Sequence, residues 1–319
     1  MQTVILAAGK GTRLYPITRH RSKAMLPIVG KPMVERILDQ MAPNGIHDFI
    51  LVISREDECI QRYFEDRAEN WGRIRFAYQE ERLGSAQALD CAAPLINGNF
   101  IVSACDNLTS ARHIGRMVEV WQSEPHQDGV LSIMPADPQR ISQVGIVEME
   151  GRRVKRIVEK PRPEQAPSNI ASLPLYCFST RILDLLGKVP LSVRGEYEIP
   201  SAIQMLIDGG AEVRGVNTNQ RLTLTNADDL LSINLYYLEH SDEALEMAPD
   251  QVGPNTRLIP PVCVEAGTVI GRGCTIGPNV YLEPKCRIGD GVQLRDAVIL
   301  RHSKVPDGSR MIGQVYFEA

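Results

Sequence analysis

Short apolar runs alternate with amphipathic helical patterns over the first two thirds of the chain. Residues 3–8 (TVILAA), 48–54 (DFILVIS), 73–78 (RIRFAY), 99–106 (NFIVSACD) and 129–134 (GVLSIM) read as buried strands. Helical spacing fills 32–44, 56–68, 85–96 and 110–124, with Pro32 suited to a first helical position and Gly45 to a stop. This alternation predicts a mostly parallel sheet with helices on both faces. Ligands of such sheets collect outside the carboxyl ends of the strands. Residues 145–161 break the pattern: two strand-like runs meet near Glu150-Gly151, which predicts a hairpin. Asn226 and Asp229 set up the cap of a helix reaching about Met247. The prolines and glycine of 248–257 read as a linker.

Beyond the linker the period becomes six. Leu258, Val264, Ile270, Ile276, Leu282, Ile288, Leu294 and Leu300 recur in one phase, and glycine follows at 271, 277 and 289. Eight such matches have a chance probability on the order of 10⁻⁵. The pattern predicts a short left-handed parallel β-helix of about three coils, its apolar residues pointing inward and its glycines at the corners. The linear division is then 1–247, a linker at 248–257, and a tail at 258–319.

Composition narrows the function. Lys and Arg total 35, Asp and Glu 39, and the net charge of −4 speaks against a nucleic-acid coat or a polybasic membrane anchor. No apolar run approaches a membrane span, and Val4–Ala8 is too short for a signal-peptide core. Seven scattered cysteines, without a C-x-x-C pair or zinc spacing, fit reduced thiols in the cytoplasm.

The candidate chemistry starts in residues 6–27, LAAGKGTRLYPITRHRSKAMLP. Gly9 and Gly11 flank Lys10 where a strand runs into a loop, and glycines there let backbone N–H groups approach phosphate oxygens. Arg13 adds a fork and Lys23 a point charge, both suited to phosphates. The spacing is that of neither a P-loop nor a dinucleotide fingerprint.

The stretch from Leu6 to Met33 resembles the signature of sugar-1-phosphate nucleotidyltransferases, L-A-A-G-x-G-T-R-L-x-P-x-T, then S-K-x-x-L-P, then K-P-M. Later segments follow that family's order. QEERLGSAQAL (79–89) resembles its base-recognition segment, SACDN (103–107) its metal-binding strand end, and VGIVE (144–148), VEKP (158–161) and RGEYEI (194–199) its sugar side. The hexapeptide tail resembles that of related pyrophosphorylases. The resemblance implies an α/β fold, with a Rossmann-like doubly wound mixed sheet followed by the β-helix. It implies attack of a sugar 1-phosphate on the α-phosphorus of dTTP or UTP, giving an NDP-sugar and pyrophosphate.

On the same resemblance, Leu6, Ala7, Ala8, Gly9, Gly11 and Thr12 bind nucleotide, as do Gln79, Gly84 and Ser85. Arg13 steadies the leaving pyrophosphate, Lys23 bridges the two reacting phosphates, and Asp106 binds Mg²⁺. Lys160 and Arg194 hold the sugar phosphate, Glu159 accepts from sugar hydroxyls, and Gly145 completes the substrate-binding set. Glu196 reads equally as an orienting group or as a helix N-terminal acid, and His302 as a surface residue. A free nucleoside triphosphate and a sugar 1-phosphate are the implied partners, within a homo-oligomer and without nucleic acid or membrane.

Two departures stand out. The family's second metal-binding Asp, from a W-x-D-x-G-T-like segment, is replaced by Thr223 in RLTLTNADDLL (221–231). Upstream, GVNTN (215–219) resembles the G-V-N of a uridylyltransferase branch, which makes Asn217 the candidate second ligand. Leu173-Pro174 stands where thymidylyltransferases carry Thr-Gly, so the sugar pocket is expected to differ. Two other readings follow: a catalytically weak, nucleotide-sugar-sensing regulatory subunit, and a bifunctional enzyme whose tail transfers acyl groups.

Overall fold

The computed structural model describes residues 1–67, 70–123, 126–240 and 252–318. The chain divides into two compact units that interleave along the sequence. One comprises residues 1–9 and 37–221, the other 10–36 and 222 onward.

The first unit is built on a nine-stranded sheet. Its strands, in chain order, are β1 (Gln2–Leu6), β2 (Asp48–Ile53), β3 (Arg73–Tyr78), β4 (Phe100–Ala104), β5 (Gly129–Pro135), β6 (Gly145–Glu150), β7 (Arg153–Glu159), β8 (Ile170–Phe178) and β9 (Val213–Asn217). Their spatial order is β3-β2-β1-β4-β8-β5-β9-β7-β6. The α-helices of the chain are α1 (Met33–Met41), α2 (Glu58–Glu65), α3 (Ser85–Ala92), α4 (Ala111–Ser123), α5 (Leu183–Leu186), α6 (Ile199–Asp208) and α7 (Ala227–His240). The expected strands and helices form within a few residues of their predicted bounds. The predicted helix ends at 68 and 124 lie outside the described residues.

β1, β2, β3 and β4 pair in parallel, with Leu6 opposite both Val52 and Ala104, and Ile53 opposite Tyr78. The continuous apolar character of these strands reflects burial on two sides. Val4, Ile50, Val52, Phe100 and Phe178 are each completely buried. Full burial of one such side chain contributes about 1.5–3 kcal/mol.

The mostly parallel sheet read from the alternation of elements is corrected to the mixed sheet that the resemblance implies. β8 runs antiparallel between β4 and β5, and β7 is antiparallel to both β6 and β9. Side-chain periodicity marks a strand but carries no information about its direction. The fold of this unit is the Rossmann-like α/β architecture. The predicted hairpin is present: Arg153 faces Glu150, and Gly151 takes a φ of 60° in the two-residue turn between them.

In the second unit, Pro32 does not open a helix as expected. It closes a small hairpin in which Pro27–Ile28 pairs with Lys31–Pro32, and α1 begins at Met33. A proline φ fits an extended residue as well as a first helical position. The hairpin turn puts both Val29 and Gly30 at positive φ, 44° and 81°. For a β-branched residue this is strained, and tertiary hydrogen bonds hold it. The Val29 N–H donates to Asn234 Oδ1 at 2.8 Å, and Arg36 Nη2 donates to the Val29 carbonyl at 2.7 Å.

Asn226 and Asp229 cap α7 reciprocally, each side chain accepting from the other's N–H at 2.9 and 3.1 Å. The predicted continuation of this helix to Met247 lies outside the described residues.

The tail consists of short parallel strands stacked at intervals of 17 or 18 residues. Leu258 stacks on Ile276 and Leu294, Val264 on Leu282 and Ile299, and Ile270 on Ile288 and Val305. The six-residue phase holds through Leu294 and then slips by one. Ile299, rather than the predicted Leu300, stacks on Leu282, although Leu300 is also buried. The continuous strand Gln293–Ile299 bridges two neighbouring rows, which shortens that interval to 17 residues. Gly277, at φ 107°, leaves no space for a side chain: a Cβ there would lie 1.9 Å from the Ile259 carbonyl oxygen. None of the seven cysteines, all among the described residues, forms a disulfide, and five are buried.

His113 on α4 is buried, with Nε2 2.7 Å from Ser132 Oγ and Nδ1 without a hydrogen-bond partner among the described residues. Burial, and then the nearby Arg116 charge, push its pKa down to about 4. The folded chain therefore favours neutral imidazole. Its contribution is complete above the unfolded value near 6.5 and is lost as pH falls toward 4, amounting to about 3 kcal/mol at full effect. Urea midpoints at pH 7.5 and 4.5 should drop further for the wild type than for His113→Gln. Equal drops would assign the acid sensitivity to other groups.

Candidate functional site

Parallel pairing fixes where the first unit's chemistry lies. β1 delivers Leu6, Ala7 and Ala8 to the carboxyl edge of the sheet, and β4 delivers Asp106 beside them. The two crossings are tied by the Cys105 N–H donating to the Leu6 carbonyl at 3.1 Å. The Ala7 N–H donates to the Val52 carbonyl at 2.8 Å, extending the parallel ladder beyond β1. Asp106 is half-buried and Gly9 exposed. β8 is antiparallel to both β4 and β5, and β9 is parallel to β5. β9 therefore runs in the direction of β4, and Asn217 ends on the same edge as Asp106.

Gln79 follows β3 on this edge and is nearly buried. Its Nε2 donates to the Gly84 carbonyl at 3.1 Å and to Gln87 Oε1 at 2.6 Å. A carbonyl can only accept, so the contact with Gly84 fixes which end of the amide is nitrogen. The Oε1 of Gln79 is left as the available acceptor.

Gly84 opens α3 at φ 120°, and a Cβ there would lie 2.3 Å from the Tyr197 carbonyl. That space is taken by a second predicted segment. Tyr197 N–H donates to the Leu83 carbonyl, Ala86 N–H to the Tyr197 carbonyl, and Ile199 N–H to Ser85 Oγ, at 2.7, 2.9 and 3.0 Å. Residues 83–86 and 197–199 are thus laced together.

The predicted sugar-side residues also converge. Gly145 faces Glu159 across the β6–β7 hairpin, and a Cβ on Gly145 would come 3.0 Å from Glu159 Oε2. Lys160 Nζ lies 3.3 Å and Arg194 Nη2 3.6 Å from Glu159 Oε1. Arg194 also reaches Glu196 at 3.8 Å and pairs closely with Glu198. Lys160 takes a positive φ of 43°, and its N–H donates to the Val144 carbonyl at 3.1 Å. Behind the cluster, Tyr176 is buried and its hydroxyl pKa is pushed up, first by desolvation and then by the Glu159 charge. The altered Leu173-Pro174 dipeptide falls in the irregular stretch of β8 between Ser172 and Tyr176, where the ladder shifts register.

In the second unit, the glycine-rich loop is a compact turn. Gly11 has φ 64°, and its Cβ position lies 3.0 Å from Lys23 Cβ and 3.1 Å from Thr18 Cγ2. Thr18 Oγ1 donates to the Gly11 carbonyl at 3.0 Å. Thr12 and Arg13 are exposed on a 3₁₀ turn, Thr12–Leu14, whereas Lys23 opens a second one, Lys23–Met25, with 8 % of its surface exposed. Thr223 is half-buried, and its Oγ1 has no hydrogen-bond partner among the described residues. His302 is exposed, as expected for a surface residue.

Asn217 is exposed, and its carbonyl accepts from Arg116 Nη2 at 2.9 Å. It borders a cavity of about 370 Å³ with Ser110, Arg112, His113 and Arg116. Among the described residues, no group of three or more His, Cys, Asp or Glu side chains has metal-binding geometry.

Two residues of this arrangement escaped the sequence reading. Arg82 Nε donates to the Ala8 carbonyl at 2.7 Å, and Glu198 is 4 % exposed as the partner of Arg194. Arg194 lies in the turn ahead of α6 and Glu198 is that helix's extended N-cap, so no helical spacing announced the second. The first depends on a contact 74 residues away in sequence. Among the described residues no helix is long and apolar enough to cross a membrane.

The family model described as "Nucleotidyl transferase" matches residues 2–240, and one described as "GMPPB C-terminal domain" matches 258–315. The chain is 31% identical over 245 residues to a UTP–glucose-1-phosphate uridylyltransferase, AglF, of Haloferax volcanii, covering 76% of this chain and 95% of that one. It is 29% identical over 324 residues to a glucose-1-phosphate thymidylyltransferase of Streptomyces antibioticus, covering 98% and 85%. It is also 29% identical over 272 residues to the bifunctional protein GlmU of Methanococcus maripaludis, covering 85% of this chain but 62% of that longer relative. A UDP-glucose pyrophosphorylase solved with UDP-glucose superposes with a TM-score of 0.69 at 22% identity, covering 75% of this chain and 98% of that one, and shares its fold. With residues 2–240 matched by that model, the chain belongs to the nucleotidyl transferase family, and its relatives there are sugar-1-phosphate nucleotidyltransferases.

Proposed function

We propose that this enzyme transfers the nucleotidyl group of dTTP or UTP to a hexose 1-phosphate, releasing pyrophosphate. The observation that carries this reading is the convergence of Gly145, Glu159, Lys160 and Arg194 into one charged cluster. Those residues are scattered over 50 positions of sequence, and a fixed pair of cations is what a phosphate monoester requires. A sugar-phosphate oxygen attacks the α-phosphorus, the new P–O bond forms, and the bond to the β-phosphate oxygen breaks. Pyrophosphate leaves with the electron pair. No proton transfer to a protein base is needed, so the catalytic work is positioning and charge neutralisation.

Arg13 and Lys23 take the triphosphate, with the loop N–H groups from Gly9 to Thr12. Lys160 and Arg194 take the sugar phosphate, and Glu159 orients both cations and accepts from a sugar hydroxyl. Gln79 reads the base. Its remaining oxygen accepts from an imide N–H, which uracil and thymine carry at N3 and cytosine does not.

Asp106 is a hard oxygen ligand on an open strand end, which suits Mg²⁺, and Asn217 is the second candidate. With few protein ligands, the ion would complete its shell with phosphate oxygens and water, and would supply charge neutralisation. The tail, with its 17- and 18-residue stacking intervals, is read as a left-handed β-helix, and the protein as a cytoplasmic homo-oligomer whose β-helix end meets another copy.

Pyrophosphate release should appear with UTP or dTTP and a hexose 1-phosphate, and be far weaker with CTP. No release across a broad panel of triphosphates and sugar phosphates would refute the enzyme reading. Arg13→Ala and Lys23→Ala should each lower turnover roughly 10²-fold, as loss of a preorganised charge commonly does. Near-normal rates in both would remove the loop from the reaction. Asp106→Asn should lower activity and raise the Mg²⁺ concentration needed for half-maximal rate. An unchanged Mg²⁺ titration would place the metal elsewhere.

A further inference from the structure

The triphosphate loop of residues 10–25 belongs to the same compact unit as the C-terminal tail. One contact in that unit joins them directly. Arg21 Nη1 and Nη2 reach Glu283 Oε1 and Oε2 at 2.5 and 3.0 Å, a bidentate pair between residues 262 positions apart. Arg21 is 8 % and Glu283 5 % exposed. The carboxylate is itself held by the tail backbone. Its Oε2 accepts from the Arg301 N–H at 2.8 Å, and the Glu283 N–H donates to the Ile299 carbonyl at 2.9 Å. Glu283 immediately follows the core residue Leu282, so the tail's stacking decides where the carboxylate sits.

A second set of bonds fastens the chain further along. Gly30 N–H donates to the Tyr281 hydroxyl, which donates to Glu265, and Asn234 grips both the Val29 N–H and the Pro27 carbonyl. Residues 21–30 are thus fixed by polar bonds to buried partners. Residues 12, 13, 15, 16, 19 and 20, by contrast, are exposed. Lys23 lies two residues beyond Arg21, and its Cβ lies against Gly11. The line from the tail to the phosphate-binding groups therefore runs Glu283, Arg21, Lys23, Gly11.

We propose that Arg21 and Glu283 are positioning residues for the reaction, so that the C-terminal tail sets the shape of the triphosphate loop. A buried ion pair adds little net stability over an apolar pair of equal volume, because both charges must be desolvated. What a bidentate guanidinium–carboxylate pair does supply is direction and register. An apolar contact would hold the loop to the tail but would let it slide. This inference rests on the reading of Arg13 and Lys23 as triphosphate ligands.

The test uses the full-length protein and three variants: Glu283→Gln, Arg21→Lys, and the apolar double replacement Arg21→Met with Glu283→Leu. Initial rates are measured with the triphosphate and the sugar phosphate varied separately. Melting temperature and hydrogen exchange of the 10–26 segment are recorded in parallel. Each variant should raise the triphosphate KM roughly 10-fold or more, since displacement of a binding group by about 1 Å can cost that much. The sugar-phosphate KM should stay within about twofold, and exchange should quicken in 10–26 but not around residues 100–106.

The double replacement separates positioning from stability. It should melt near the wild-type temperature and still show the triphosphate defect. A normal melting temperature together with a normal triphosphate KM would reduce the pair to packing and overturn the proposal. If the wild type turns over no triphosphate, the proposed function fails, while the exchange measurement still decides the loop. Exchange in 10–26 that is unchanged in Glu283→Gln and in the double replacement would also overturn it.

Discussion

Parallel strands paired in register finish on one edge, and this constraint organises the first unit. Leu6 is locked opposite Val52 and Ala104, and Ile53 opposite Tyr78. The loops leaving β1, β3 and β4 therefore emerge on one edge, those of β1 and β4 adjacent and that of β3 beyond β2, with the backbone of Ala7 and Ala8, Gln79 and Asp106 on them. The ladder continues past the strands, through Ala7 to Val52 and Cys105 to Leu6. A polar site can sit here because the last N–H and C=O groups of the strands need partners beyond the sheet.

The charged cluster at Glu159 solves a different problem. Two cations close together repel, and a site for a phosphate monoester must hold them before the phosphate arrives. Glu159 lies within 3.6 Å of both Lys160 and Arg194, and Glu198 pairs with the same Arg194 Nη2. Their carboxylates offset the repulsion and fix direction, so little reorganisation is left for the moment of reaction. The close approach of Glu159 is possible because its hairpin partner is Gly145.

The second unit joins parts that sequence separates most widely. The tail's rows are regular because Leu, Ile and Val stack at fixed intervals, and that regularity gives polar residues beside the stack defined positions. Glu283, Tyr281 and Glu265 occupy such positions, and Arg21 and Gly30 meet them. The strained Val29, held by Asn234 and Arg36, marks how tightly this stretch is fixed.

The sequence by itself determined β1 to β7 and α1 to α4, because burial imposes periods of 2 and 3.6 that survive without any tertiary knowledge, whereas β8, β9, α5 and α6 were not predicted from it. It determined the six-residue tail for the same reason, and Asn226 with Asp229 announced a cap through spacing alone. It marked Gly84, Gly145, Glu159, Lys160 and Arg194 as sugar- or base-side candidates by motif. Tertiary structure alone decided the direction of β8, the one-residue slip at Ile299, the contact of Arg82 with Ala8, and the pairing of Arg21 with Glu283. Each depends on which distant backbone arrives alongside. Side-chain periodicity records whether a residue is buried, and it carries no record of the partner that buries it.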